Sequence, residues 1–233
     1  ENLLRTTKNY VENKYKKDGY FNAKASINTI KDSADARTVK MLITVDKGKK
    51  IKIKDIVFEG NQTITDSKLR GAMKSTKQKN PIRVFKASKY IQSKYKEDLT
   101  KVVDKYKENG YRDARIISDT VIKNPDNTLS IKVNLEEGNK YYFGDISWIG
   151  NTKFRSTYLD TILGIKPGDI YNKQLLEERL RMSQDGRDVS SLYMDRGYLF
   201  FHVEPVETGV KDNHINYEMR IIEGKEARVK NIV

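Results

Sequence analysis

The stretch IKIKDIVFEGN, residues 51–61, is echoed by YYFGDISWIGN at 141–151, and the echo decides how the chain is divided. Each places alternating apolar residues on a strand that ends in Gly-Asn: Gly60-Asn61 and Gly150-Asn151, ninety residues apart. A second phrase keeps the same period. Asp18-Gly19-Tyr20, Asn109-Gly110-Tyr111 and Arg196-Gly197-Tyr198 are separated by 91 and 87 residues. A third, Lys47-Gly48, Glu137-Gly138 and Glu223-Gly224, recurs at 90 and 86. Three unrelated markers in one order and one period define a tandem repeat.

Within residues 49–138, Ile51, Ile53, Ile56 and Phe58 alternate except for a slip at Lys54-Asp55. Tyr141, Phe143, Ile146 and Trp148 slip at the equivalent place, so a bulge is expected in both strands. Thr65-Asp66-Ser67 is a helix start, with a short helix running to Met73. After the polar loop KSTKQKNP, residues Ile91, Tyr95, Leu99, Val102, Val103 and Tyr106 fall at steps of three and four on a longer helix that Gly110 stops. Glu97, Asp98, Asp104 and Glu108 interleave with its lysines as a solvated face. Residues 112–122 and 129–136 form two strands joined by NPDN.

The last strand alternates strictly: Leu129, Ile131, Val133 and Leu135 in this repeat, Val39, Met41, Ile43 and Val45 before it, Ile215, Tyr217, Met219 and Ile221 after it. One buried sheet face per repeat is expected, covered by two helices in a two-layer α+β domain of order β-α-α-β-β. The expected boundaries are the back half of a repeat at 1–48, complete repeats at 49–138 and 139–226, and the first strand of another at 227–233. MSQDGRD, residues 182–188, lengthens or breaks the second helix of the later repeat. Two or three residues join one repeat to the next, too few for a free linker.

The net charge is +13, and it is unevenly placed. Residues 1–48 hold 10 basic and 6 acidic groups (+4), residues 49–138 hold 21 and 12 (+9), and residues 139–233 hold 14 and 14. That basic middle repeat invites a nucleic-acid reading, but the Gly-x-x-Gly clamp and the aromatic RNA-binding strand pattern are both missing. Catalysis has little to work with. His202 and His214 are the only histidines, there is no cysteine, and the metalloprotease, nucleophile-elbow and phosphate-loop patterns are missing. NPDN lacks the spacing and closing glutamate of a calcium loop. No cofactor is implied. No run of about 18 apolar residues is present.

The residues I-x-F-x-G-N, Y-x-x-x-G-Y (Tyr15 with Gly19-Tyr20, Tyr106 with Gly110-Tyr111) and the closing E-G resemble the POTRA domain, the periplasmic repeat of BamA-type outer-membrane assembly proteins. NPIRVFKASKYIQSKYKEDL resembles the third such repeat of five-domain members and LGIKPGDIYNKQLLEERL the fourth, which makes residues 1–48 part of the second and ARVKNIV the start of the fifth. The resemblance implies two helices on one face of a three-stranded mixed sheet with strand order first, third, second, and an edge left by the second strand. It also implies a periplasmic scaffold that pairs with unfolded outer-membrane proteins by strand addition, docks accessory lipoproteins and lies beside a C-terminal membrane barrel of the same chain. Two-partner secretion, autotransporter assembly and plastid import proteins carry the same domain in smaller numbers.

Edges expose unpaired backbone groups to any extended peptide. In the later repeat Pro205 interrupts LFFHVEPVE, whereas Arg115, Ile116, Ile117, Ser118, Asp119 and Thr120 run without proline in the basic repeat, so this stretch is the expected peptide-binding edge. Phe58, Trp148, Tyr111 and Tyr198 are expected in cores rather than at a binding site.

Overall fold

The structure, a computed structural model, describes residues 2–31, 38–78, 89–181 and 183–227. The NPIRVFKA stretch, Met182 and the expected strand opening at 228–233 lie outside the described residues.

Six helices and eight strands follow one another as α1 (Asn2–Lys17), β1 (Lys24–Lys31), β2 (Val39–Asp46), β3 (Lys52–Glu59), α2 (Asp66–Ala72), α3 (Gln92–Lys107), β4 (Arg115–Lys123), β5 (Thr128–Glu136), β6 (Tyr142–Ile149), α4 (Ser156–Leu163), α5 (Lys173–Arg181), α6 (Val189–Met194), β7 (His202–Lys211) and β8 (His214–Ile222) among the described residues. The sheets are β1-β2, β3-β5-β4 and β6-β8-β7. Contacts divide the chain into two compact units, Glu1–Val103 with Ile116–Glu136, and Asp104–Arg115 with Glu137–Val233.

In both three-stranded sheets the last strand of the repeat is central and runs parallel to the first. Parallel pairing requires a crossover, and the intervening helices supply it. Both expected bulges are present: the β3–β5 register shifts between Ile53 and Asp55, and β6–β8 shifts between Phe143 and Ile146. Each shift returns the following apolar residues, Ile56 and Phe58 or Ile146 and Trp148, to the helix side.

In the first unit the sheet buries Ile53, Ile56, Leu129, Ile131 and Val133 with Leu69 and Met73 of the α2 region and Tyr95 and Val102 of α3. The second unit closes around Phe143, Trp148, Leu159, Leu163, Leu176, Leu180, Tyr193, Ile215 and Met219. Full burial of such a side chain contributes about 1.5–3 kcal/mol, so a handful fixes each layer.

Three findings refine or correct the expected picture. The second helix of the later repeat is split into α5 and α6, because Gly186 takes a positive φ and Asp188 caps a new start by accepting the Ser191 N–H at 2.8 Å. Thr65 sits at the N-cap of α2 without a side-chain capping bond; Asp66 holds this end instead, accepting from Asn61 at 2.8 Å and Arg70 at 3.1 Å. In the first sheet the alternating face of β2 is not buried. Val39, Met41 and Ile43 are 61%, 38% and 40% exposed, since among the described residues β1 is their one sheet neighbour and no residue of α1 is buried.

Candidate functional site

The Gly-Asn phrase is structural. Gly60 and Gly150 adopt φ of +88°, and a Cβ there would stand 2.0 Å from the Leu135 carbonyl oxygen or 2.2 Å from that of Ile221. Only glycine lets the central strand pass so close. The following amides close the turn, Asn61 Nδ2 donating to the Ile64 carbonyl at 3.0 Å and Asn151 Nδ2 to that of Phe154 at 2.9 Å.

Y-x-x-x-G-Y is equally architectural. In each repeat the second tyrosine N–H returns to the carbonyl of the first, at 3.0, 3.1 and 3.1 Å for Tyr20, Tyr111 and Tyr198, ending the helix. The paired rings meet edge-on at 6.2, 5.9 and 6.1 Å. The first tyrosine then reaches the closing glutamate: Tyr106 Oη donates to Glu137 at 2.9 Å and Tyr193 Oη to Glu223 at 3.2 Å. Where the first repeat has Lys47 instead, its ammonium lies 5.9 Å from the Tyr15 ring centroid. Burial above all, then Glu223, raises the Tyr193 hydroxyl. Burial works to raise Glu223 in turn, but hydrogen bonds from Thr152, Lys153 and Tyr193 outweigh it and hold the carboxyl below its ordinary value.

Two margins remain on each three-stranded sheet, and they differ in chemistry. Along the outer side of β3, the Ile56 N–H donates to Gln78 Oε1 at 3.2 Å, the Ile56 carbonyl accepts from Arg70 at 3.0 Å, and the Phe58 N–H donates to Asp66 at 3.4 Å. The outer side of β6 is closed by backbone: Phe143 N–H to the Asp169 carbonyl at 2.8 Å and Gly168 N–H to the Phe143 carbonyl at 2.7 Å. At Ile56, Phe58 and Phe143 the outward donors and acceptors of the first strands are thus occupied.

The opposite margins are β4 and β7. Residues 115–120 all lie on β4, which continues three residues farther, to Lys123. Ile117 and Ile122 are 56% and 52% exposed on it. Ser118 and Asn134 are joined by a 2.9 Å hydrogen bond, so Ser118 faces the side away from the helices and Ile117 and Asp119 face the helix layer. There the buried rings of Tyr90 and Tyr95 stand with centroids 5.6 Å apart. Burial first and the Asp119 carboxylate second push the Tyr90 hydroxyl up to about 12 and raise Tyr95 as well.

The β7 margin has different surroundings. Proline in such a strand places its missing N–H on the open side, and Pro205 is followed by a register shift between Glu207 and Gly209. A groove of about 640 Å³ runs between β7 and α5, floored by Tyr171 and Tyr217. Arg112 enters it, its Nη1 donating to Glu207 Oε1 at 2.9 Å and Oε2 at 3.0 Å while its guanidinium lies 4.6 Å from the Tyr141 ring centroid. Sequence reasoning missed Arg112. The available signal was its place after Gly-Tyr, where the other repeats carry Phe21 and Leu199.

His202 opens β7, and His214 opens β8 with its ring stacked on Tyr142 at 5.5 Å. Among the described residues no group of three or more His, Asp or Glu is placed to hold a metal ion, and no helix is long and apolar enough to cross a membrane.

Fold and margins together define a tandem array of α+β modules, each with one capped first-strand edge and a second-strand edge across the sheet. The POTRA family, described as a surface antigen variable number repeat, matches residues 51–138 and 141–224, and the chain belongs to it. It is 37% identical over 134 residues, 57% of its length, to the outer membrane protein assembly factor BamA of Neisseria meningitidis. It is 25% identical over 214 residues, 88% of its length, to a putative outer membrane protein assembly factor of Treponema pallidum. The chain spans 17% and 24% of those two relatives. Among solved structures it resembles POTRA domains 3–5 of Haemophilus influenzae BamA, with a TM-score of 0.51 and 19% identity, over 76% of this chain and 67% of that one; this likeness concerns the fold.

Proposed function

We propose that this chain is part of the periplasmic scaffold of a BamA-type outer-membrane protein assembly factor, and that β4 recruits an extended segment of an unfolded barrel protein by strand addition. The observation that carries the reading is the asymmetry of the middle sheet: β3 has its outer backbone groups engaged by Gln78, Arg70 and Asp66, whereas Arg115–Thr120 lies on the opposite margin without proline. Main-chain pairing accepts many client sequences, and alternate side chains of the guest fall beside Ile117 on the helix side. Accessory lipoproteins and a C-terminal membrane barrel of the same chain complete the proposed partners, with repeats numbered third and fourth. No catalytic role, cofactor or nucleic-acid partner belongs to this reading.

The test is a titration of the ¹⁵N-labelled chain with a ten-residue peptide of alternating barrel-strand sequence. Saturable amide shifts over residues 115–120 are expected. Shifts confined to the lysine-rich surface of α3, and abolished by salt, would assign the binding to charge and end the strand-addition reading.

A further inference from the structure

The two second-strand edges are not equivalent hosts, and the difference reaches beyond Pro205. Pro205 and Glu207 pair with Met219 and Tyr217 of the buried face, so both lie on the helix side of β7, as Ile117 and Asp119 do on β4. On β7 the outward donors flanking the proline belong to Val203 and Glu207, since alternate residues of a strand face the same way. A guest strand added there would send its inward side chains into the groove between β7 and α5. Arg112 already stands in that groove, held on Glu207 by two contacts from one guanidinium nitrogen. Its own position is fixed: the Gly110 carbonyl accepts the Tyr141 N–H at 2.8 Å, Arg112 lies over the Tyr141 ring, and Tyr141 Oη donates to Asp113 at 2.7 Å.

Among the described residues the β4 edge shows no such device. The counterpart of Arg112 is Phe21, whose ring packs edge-on against Tyr90 at 5.6 Å. The next residue, Asn22, makes its polar contacts with the middle repeat at the hairpin end, accepting from Lys123 at 2.6 Å and donating to Asn127 at 3.0 Å. Neither contact falls on residues 115–120.

We propose that Arg112, acting on Glu207, is a guard that together with Pro205 keeps extended peptides off β7, so that guest strands are directed to β4. The inference rests on the strand-addition reading of β4. Arg112 is a specificity-determining residue in this scheme: it fills side-chain space that an added strand needs, while the proline removes a donor that such a strand would use.

The same peptide titration tests it on three forms of the full chain. In the unaltered protein, residues 115–120 respond and residues 203–207 do not. In the variant combining Arg112→Ala with Pro205→Val, saturable shifts across 203–207 are expected, with at least a tenfold gain in affinity at that edge. Glu207→Gln, which leaves the strand sequence otherwise intact and loosens Arg112, should give a severalfold gain. Unchanged signals from Ile215 to Ile221 establish that β8 and the fold survive. Equal response of both edges in the unaltered protein overturns the guard, as does a folded double variant that gains nothing while β4 still binds. A silent β4 with a responsive β7 in the variants would retain the guard and overturn the β4 reading; silence at both edges overturns both.

Discussion

β4 and β7 occupy the same place in two copies of one module, yet their chemistry has diverged. β4 offers an unbroken run with Ile117 and Ile122 exposed, next to buried tyrosines. β7 carries a proline, a register shift and an arginine delivered from a turn 95 residues away in sequence. A repeat conserves what the core requires, namely the parallel first and last strands, the bulge and the glycine beneath the central strand. It leaves the second strand adjustable, because that strand's outer side contributes nothing to the core. Edges are also hazards for aggregation, so a tandem protein gains by leaving few of them open.

The comparison can be broken most severely at the buried carboxylates. Asp98, fully buried on α3, accepts the N–H groups of Lys74 and Ser75 at 2.9 Å each and of Thr76 at 2.5 Å, with Lys101 Nζ at 3.0 Å. Asp98→Ala should destabilise the middle repeat by about 4 kcal/mol, because three orphaned donors and a cation remain. Asp188→Ala in the later repeat, losing a helix cap, should cost about 2 kcal/mol. Urea unfolding followed through amide signals of each repeat measures both.

Acid should act on the same site. Burial opposes ionisation of Asp98, but Lys101 and the backbone donors of Thr76 and Ser75 outweigh it, so the carboxyl lies below its ordinary value. A depressed carboxyl stabilises the fold above the unfolded pKa of about 3.9 and loses that contribution as pH falls through the folded value. Stability of the middle repeat should therefore fall as pH drops below about 4, and Asp98→Asn should flatten that dependence.

Gly60→Ala and Gly150→Ala come next. Both place a Cβ against a carbonyl at positive φ, so each should lower stability by about 2–3 kcal/mol, and by similar amounts, in thermal melts. Unequal losses would show that the two repeats tolerate the approach of the central strand differently.

A proline exchange sharpens the edge comparison directly. Ile117→Pro gives β4 a proline on its helix-facing side, where β7 has Pro205. The barrel-strand peptide should bind about tenfold more weakly, roughly 1.4 kcal/mol, with stability changed by less than about 1 kcal/mol because a proline on the helix-facing side removes an outward N–H rather than one directed at β5. Isothermal titration alongside denaturation separates the two effects.

The smallest expected effects follow the motif tyrosines. Tyr106→Phe and Tyr193→Phe each remove one hydrogen bond to a closing glutamate and should cost about 1 kcal/mol. Tyr15→Phe, where Lys47 replaces that glutamate, should stay within about 0.5 kcal/mol. Equal losses at all three would disprove the distinction.

Much of this was legible in the chain. The period, the bulges at Lys54-Asp55 and before Ile146, and the buried faces of β5 and β8 follow from local alternation, and MSQDGRD with Gly186 at its middle signalled a lengthened or broken helix. Asp98 was misread as part of a solvated charged face, because its partners lie 22 to 24 residues earlier in a loop whose donors only folding brings to it. Val39, Met41 and Ile43 alternate as a buried face should, but burial also needs a covering layer, and a strand pattern cannot report one. Residues 115–120 were identifiable as a strand without proline; which margin of the sheet is engaged by side chains was not.

By itself the sequence determined the repeat, the α+β class and the family, because these rest on spacing between neighbours along the chain and on side-chain period within single elements. Only the tertiary structure decided which edges are occupied, that Arg112 reaches Glu207, and that Asp98 is interior. Those depend on distances between segments far apart in sequence, set by the packing of helices on each sheet, and no local pattern encodes them.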